Sequence, residues 1–206
     1  AIASYQIVPT PAWVTPVELT PLDQESVPVE QLSEGTYYRL LEDQFKLDDK
    51  TKAAHFIRYV MLATNQTGVE GMSQLNLSFD PSYQHIQLHH LRIIRDGEII
   101  DKLPTAQIQV IQREQEAEQL IYDGSQTLNI ILDDIRPGDS LDYAFTRVGR
   151  NPIYQGIFGY SAEFDWSVPV GEQTLRVLWN KETPLYINQL NGELPVETKQ
   201  TDAGTE

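Results

Sequence analysis

Four histidines and a scatter of acids are the first side chains to weigh for chemistry in this 206-residue chain, because it contains no cysteine. That absence removes thiol nucleophiles, thiolate metal sites and disulfides together. Three of the histidines, His85, His89 and His90, are grouped, and His55 stands apart. On a regular strand His85 and His89 lie about 13 Å apart, and His89 and His90 point to opposite faces. Two metal ligands have to come within about 4 Å of each other, so the spacing predicts a solvated histidine face, and no metal or cofactor is expected. Asp133, Asp134, Asp139 and Asp142 flank Pro137-Gly138 and offer hard oxygen ligands. They miss the alternation of an EF-hand loop and are expected as solvated turn acids. With 30 acidic residues in the chain, a pair at glycosidase separation arises by chance, and none is assigned. Gly71-Met72-Ser73 and Gly159-Tyr160-Ser161 each begin a nucleophile elbow, but Leu75 and Glu163 stand where the closing glycine belongs. With no phosphate-binding glycine loop either, no catalytic residue is assigned and the chain is expected not to be an enzyme by itself.

Aromatic residues offer a different chemistry. Tyr154, Phe158, Tyr160, Phe164 and Trp166 fall within 13 positions and could stack on a sugar or a peptide. Phe158, Tyr160, Ala162, Phe164 and Trp166 also share one parity, which predicts the inward face of a single buried strand. The candidate ligand or partner contacts are Trp13, Tyr154, Tyr160 and Trp166.

The elements that would position these residues read as strands. Leu75, Leu77 and Phe79 alternate with Asn76 and Ser78, Leu128, Ile130 and Leu132 alternate more loosely, Leu141, Tyr143 and Phe145 alternate with Asp142 and Ala144, and Leu175, Val177 and Trp179 with Arg176 and the apolar Leu178. Period two marks half-buried strands. Phe56 to Leu62 is apolar on both parities apart from Arg58, which predicts a central strand covered on both sides. Asp96-Gly97 sits between Ile93-Ile94 and Ile99-Ile100, a two-residue hairpin turn with glycine where positive φ is needed. Pro137-Gly138 predicts a type II turn. Ile86 and Leu88 have the opposite parity to Leu91 and Ile93, which calls for a bulge at His89-His90. The only helix-like stretch, Gln112 to Gln119, is polar all round and is expected as exposed turns or a loop. The fold class is therefore all-β, an antiparallel β-sandwich.

Residues 1–33 hold five prolines and no Lys or Arg, the composition of an extended proline-rich arm, with Trp13, Ile7 and Val8 as anchors if it straps across a neighbouring surface. Residues 34–192 form the sandwich. Residues 193–206 turn polar and aperiodic, as a linker towards a further domain would. The chain starts at Ala1 with no basic and apolar leader, which fits a removed signal peptide or a trimmed start. A formal charge of -15 repels nucleic acid. The longest apolar run is Tyr59 to Ala63, so no membrane span is expected.

The order of these pieces resembles the N-terminal β-sandwich domain of unknown function that precedes transglutaminase-like domains in bacteria. Ser73 to Tyr83 is similar to its strand ending in an aromatic, an acid and a proline. His85 to Lys102, around Arg95-Asp-Gly-Glu98, looks like its next hairpin, and Ile135 to Tyr143 like its turn into a strand. Trp166-Ser-Val-Pro169 followed by Leu175 to Trp179 is similar to its closing strands. The resemblance covers roughly residues 54 to 192. It implies a bacterial, periplasmic or exported accessory module that positions or shields substrate beside a papain-like Cys-His-Asp domain. That triad has no counterpart in a chain without cysteine. The reading that stands against it is an autonomous glycan- or peptide-binding module carried by the aromatics.

Overall fold

A computed structural model describes residues 4–47, 53–112, 124–179, 184–201 and 204–206. Its elements are β1 (Tyr5–Ile7), β2 (Thr36–Lys46), β3 (Ala54–Ala63), α1 (Gln66–Met72), β4 (Gln74–Phe79), β5 (His85–Arg95) and β6 (Glu98–Asp101). They continue with β7 (Gln107–Gln112), β8 (Gln126–Ile131), β9 (Ser140–Val148), β10 (Val170–Leu178), β11 (Gln200–Thr201) and β12 (Gly204–Thr205). A large sheet in the order β1-β5-β9-β3-β2-β10, with β6 also on β5, faces a three-stranded sheet in the order β4-β8-β7. The fold is all-β and sandwich-like. Its interior pairings are antiparallel, but β1 joins β5 and β10 joins β2 in parallel, because both arrive by long connections that no hairpin constrains.

The main core lies between the sheets. Ile57 and Met61 from β3, Leu91 and Ile93 from β5, and Leu141 and Phe145 from β9 meet Leu75, Leu77 and Phe79 from β4 and Leu128 and Ile130 from β8. The alternation along β4, with buried Leu75, Leu77 and Phe79 between exposed neighbours, is the one its sequence predicts. Phe56 to Leu62 runs between β2 and β9 as the central strand it was expected to be. Asp96 and Gly97 turn the β5–β6 hairpin with φ of 50° and 81°. The β5–β9 register shifts between Leu88 and His90, which is the bulge the parity change calls for. The Pro137-Gly138 turn closes with the Asp139 amide donating to the Arg136 carbonyl at 3.0 Å.

Three expectations are corrected. The described helix is α1, capped by Asn65 accepting from the Gly68 amide; Gln112 ends β7, and residues 113–119 lie outside the described residues. β9 is buried on both parities rather than one. In β10 the buried residue is Leu178, while Leu175 is exposed, because this edge strand lies beyond the reach of the smaller sheet.

The second parity of β9 is buried because the N-terminal residues lie on the outer face of the large sheet. Val14 joins Phe56 and Ala144 in a second small core with Trp13 against it. The Val8 amide donates to the Leu88 carbonyl at 3.0 Å, whereas Ile7 is 54% exposed, so Val14 rather than Ile7 is the apolar anchor. Polar side chains of the sheet complete the attachment. Gln44 bonds the Thr15 amide and carbonyl, Glu42 accepts from the Val17 amide, and Arg58 and Arg39 donate to the Val17 and Thr20 carbonyls.

Beneath this cover the histidines and acids are not solvated as expected. His89 is buried, donating from Nδ1 to the Val8 carbonyl at 3.0 Å and accepting at Nε2 from the Thr146 hydroxyl at 2.6 Å. Asp142 is fully buried and accepts from Arg58, His90 and Arg92. Asp139, also buried, pairs with Arg95 at 2.7 Å. Asp133 and Asp134 remain exposed at the turn. Asp142 and Asp139 are buried because strand arginines reach them across the sheet from β9, whereas Asp134 pairs with Arg136 and Arg95 in the open. At the other end, β11 and β12 form a hairpin in the stretch expected as linker. The Thr205 amide and carbonyl bond Trp179, and Arg176 pairs with Glu206.

Candidate functional site

On the inner face of the large sheet, β2 and β10 extend past the three-stranded sheet, and residues 158–166 cover them instead. Strand alternation turns Leu41, Asp43 and Phe45 of β2 to this face, with His55 and Tyr59 of β3 beside them in register. His55 lies flat on Phe45, ring centroids 4.0 Å apart and 17° between planes, and Tyr160 closes over both at 4.6 and 5.7 Å. Phe158 meets the edge of Phe45 at 5.2 Å. Further along, Gln173 of β10 holds the segment down: Trp166 Nε1 donates to its Oε1 at 2.8 Å, and its Nε2 donates to the Glu163 carbonyl at 2.9 Å. The strand predicted from the parity of Phe158 to Trp166 does not form; the segment is an irregular cover. Tyr160, Phe164 and Trp166 are exposed, because a sheet lies beneath them and, among the described residues, nothing covers their far side.

Between cover and sheet lies a cavity of about 210 Å³ walled by Leu41, Asp43, Tyr59, Tyr160, Glu163 and Trp166, with Gln173 and Leu175 at its margin. Of the four residues proposed from sequence as ligand contacts, Tyr160 and Trp166 are brought together here. Tyr154 sits exposed on a single 3-10 turn, Pro152–Tyr154, away from the cavity wall. Trp13 is on the opposite face of the sheet. Asp43, His55, Tyr59 and Gln173 belong to the site but were not singled out from sequence. Their signal was weak: one acid of the polar triplet Glu42-Asp43-Gln44 in β2, and a histidine whose register partner across the hairpin is Phe45.

Asp43 and Glu163 carry the charge of the wall, and His55 packs beside Asp43. His55 Nε2 donates to Asp43 Oδ1 at 2.6 Å. Burial holds the imidazole below its ordinary pKa, against the pull of the Asp43 carboxylate, so it is neutral at pH 7. Burial, and then the Asp43 charge, push the Tyr59 and Tyr160 hydroxyls up, and both stay protonated. Ser161 also lines the cavity. Among the described residues no group of three His, Asp or Glu side chains is placed to hold a metal ion. None of the described helices is long and apolar enough to cross a membrane. What this arrangement provides is a small recess with aromatic walls and a carboxylate at its base.

A two-sheet β fold with an aromatic recess at its open end describes a class of non-enzymatic and binding modules as well as parts of enzymes. Within it, this chain belongs to the DUF3857 family, a domain of unknown function represented among solved structures, whose profile matches residues 49–206. No curated protein matches the chain. A protein from Parabacteroides distasonis ATCC 8503 described as a "putative protease" shares the fold with a TM-score of 0.67 at 12% identity, over 84% of this chain and 34% of its own. The chain thus spans about a third of that protein's length. A family 3a carbohydrate binding module from the cipA scaffolding of Clostridium thermocellum superposes at a TM-score of 0.31 and 12% identity, over 53% of this chain and 74% of its own.

Proposed function

We propose that this chain is a non-catalytic accessory module of a bacterial transglutaminase-like or protease-like protein, exported or periplasmic, that positions or shields substrate for an adjoining catalytic domain. The observation that carries the reading is the surface of residues 184–196. Tyr186 and Leu190 are 82% and 86% exposed, and Ile187, Leu194 and Val196 are also exposed, on a stretch without strand or helix. So many large apolar side chains on one short segment favour a covering partner over free solvation. An adjoining domain of the same polypeptide is the partner that the Parabacteroides protein supports, since the shared fold occupies 34% of a longer chain there. The reading frame beyond Glu206 is the test. A following region with Cys and His in papain-like order, and slower amide exchange at 184–196 in the longer protein than in the 206-residue chain, is the expected result. A stop codon there, or unchanged exchange, overturns it.

The aromatic recess favours a second reading, an autonomous module for a peptide or glycan. Saturable binding by the 206-residue chain that is lost on Trp166→Ala, with the melting temperature unchanged, would support it; no binding to either ligand class would sink it.

A further inference from the structure

The charged side chains in the wall of the recess are both acids, Asp43 and Glu163, and the remainder is largely ring and aliphatic surface. Asp43 is only 7% exposed, and among the described residues its ion-pairing contact is the His55 imidazole at 2.6 Å. A neutral imidazole supplies a hydrogen bond but no counter-charge. The guanidinium nearest in register, Arg147 of β9 opposite His55, spends its Nε on the Ser78 carbonyl and is not part of the wall, so it acts on Asp43 through space and not through an ion pair. A desolvated carboxylate with an open second oxygen in an aromatic recess attracts a cation.

We infer that this recess binds an aliphatic ammonium group of the size of a lysine side chain, carried on a peptide. Asp43 and Glu163 balance its charge, while Tyr59, Tyr160 and Trp166 enclose its carbon stem. The Gln173 clamp on Trp166 and the Glu163 carbonyl holds the cover in place before a ligand arrives, which lowers the ordering cost of binding. The inference rests on the second reading above and gives it a ligand class.

The test titrates the 206-residue chain with N-acetyl-lysine methylamide and with N-acetyl-norleucine methylamide, following tryptophan fluorescence and amide chemical shifts. The lysine compound is expected to bind saturably and about tenfold more tightly than the norleucine one. Trp166→Leu and Glu163→Gln should each weaken lysine binding about threefold; Glu163→Gln keeps the Gln173 bond to the Glu163 carbonyl and should leave the melting temperature unchanged. Asp43→Asn should weaken it about tenfold; if that variant does not fold, the other two decide. Equal affinity for both compounds would overturn the cation and leave the binding-module reading standing; no saturable binding of either would overturn this inference, while the binding-module reading falls only if glycans fail to bind as well.

Discussion

Replacing Asp142 by asparagine tests whether the outer face of the large sheet is held by charge. The carboxylate accepts from Arg58 Nε and Nη2 at 3.0 and 3.1 Å, from His90 Nε2 at 2.8 Å, and from Arg92 Nε at 2.9 Å. Asparagine keeps a single acceptor oxygen and turns an NH₂ towards donors. Removing one member of a buried ion pair costs about 3 to 5 kcal/mol, because the charge left behind stays buried. Arg58 would retain Glu42 at 3.6 Å and the Val17 carbonyl at 2.8 Å, which places the expected loss near the lower end, about 3 kcal/mol. Urea unfolding of both proteins measures it, with the m-value unchanged if the native fold survives. The companion variant Asp142→Leu with Arg58→Met should not recover the loss, because it also takes from buried Glu42 its Arg58 partner and leaves a second charge unpaired. A loss under about 1 kcal/mol for Asp142→Asn would show that water or rearrangement satisfies Arg58, and the buried-network argument would fail.

Other expectations follow from the same geometry. Val14→Ala removes two methyls from the small core against Phe56 and Ala144 and should cost about 1.5 kcal/mol by chemical denaturation; no change would mean the N-terminal segment is not packed in solution. Gly97→Val meets only backbone strain, with φ of 81° and open space around it, and should cost about 1 to 3 kcal/mol. Gly149→Ala should cost about 3 kcal/mol or more, because its Cβ would sit 1.8 Å from the Tyr83 carbonyl oxygen; a reversed order would discredit the β9 exit. Melting temperature should fall on acidification in two steps. Burial lowers the His55 and His89 pKa values from 6.5, so their stabilisation is whole above that pH and is lost below it. For Asp142 burial acts upward, but bonds from His90 and Arg58 prevail and hold it well below 3.8, so its share is lost below about pH 4. Glu42 opposes the trend, since burial raises its pKa and its unfavourable burial is relieved on protonation; a melting temperature flat from pH 7 to 4 would contradict the histidine assignments.

Strands with one buried face were legible because their period is local. β4 and the Asp96-Gly97 hairpin needed no knowledge of distant residues, and even the bulge at His89 showed as a parity change between Leu88 and Leu91. What was not legible depended on a second layer. β9 reads Ser-Leu-Asp-Tyr-Ala-Phe-Thr, half-polar on its outer face, and nothing within it says that residues 13–20 will cover that face and that Arg58 and Arg92 will meet Asp142. The same blindness turned residues 158–166 into a strand on paper, since one shared parity is compatible with any extended segment and only the missing partner strand distinguishes a loop. Half of the recess was visible, in Tyr160 and Trp166; Asp43 and His55 were not, because their pairing exists only through the β2–β3 register.

The position of the recess follows from a mismatch in width. The large sheet has seven strands, six of them side by side and β6 sharing an edge of β5, against three in the small one, and the core between them draws its large-sheet members from β3, β5 and β9 but not from Leu41 or Phe45 of β2. The inner face of β2 and β10 therefore has to be closed by something other than strand, and a nine-residue irregular cover cannot fill it at core density. Alternation along β2 then divides the labour: Glu42 and Gln44 face outward to the N-terminal segment, while Asp43 and Phe45 face the recess. β10 repeats the division, with Gln173 clamping the cover on one face and Arg176 reaching the Trp13 carbonyl and Glu206 on the other. Fastening on one face and opening on the other are thus carried by alternating residues of the same two strands.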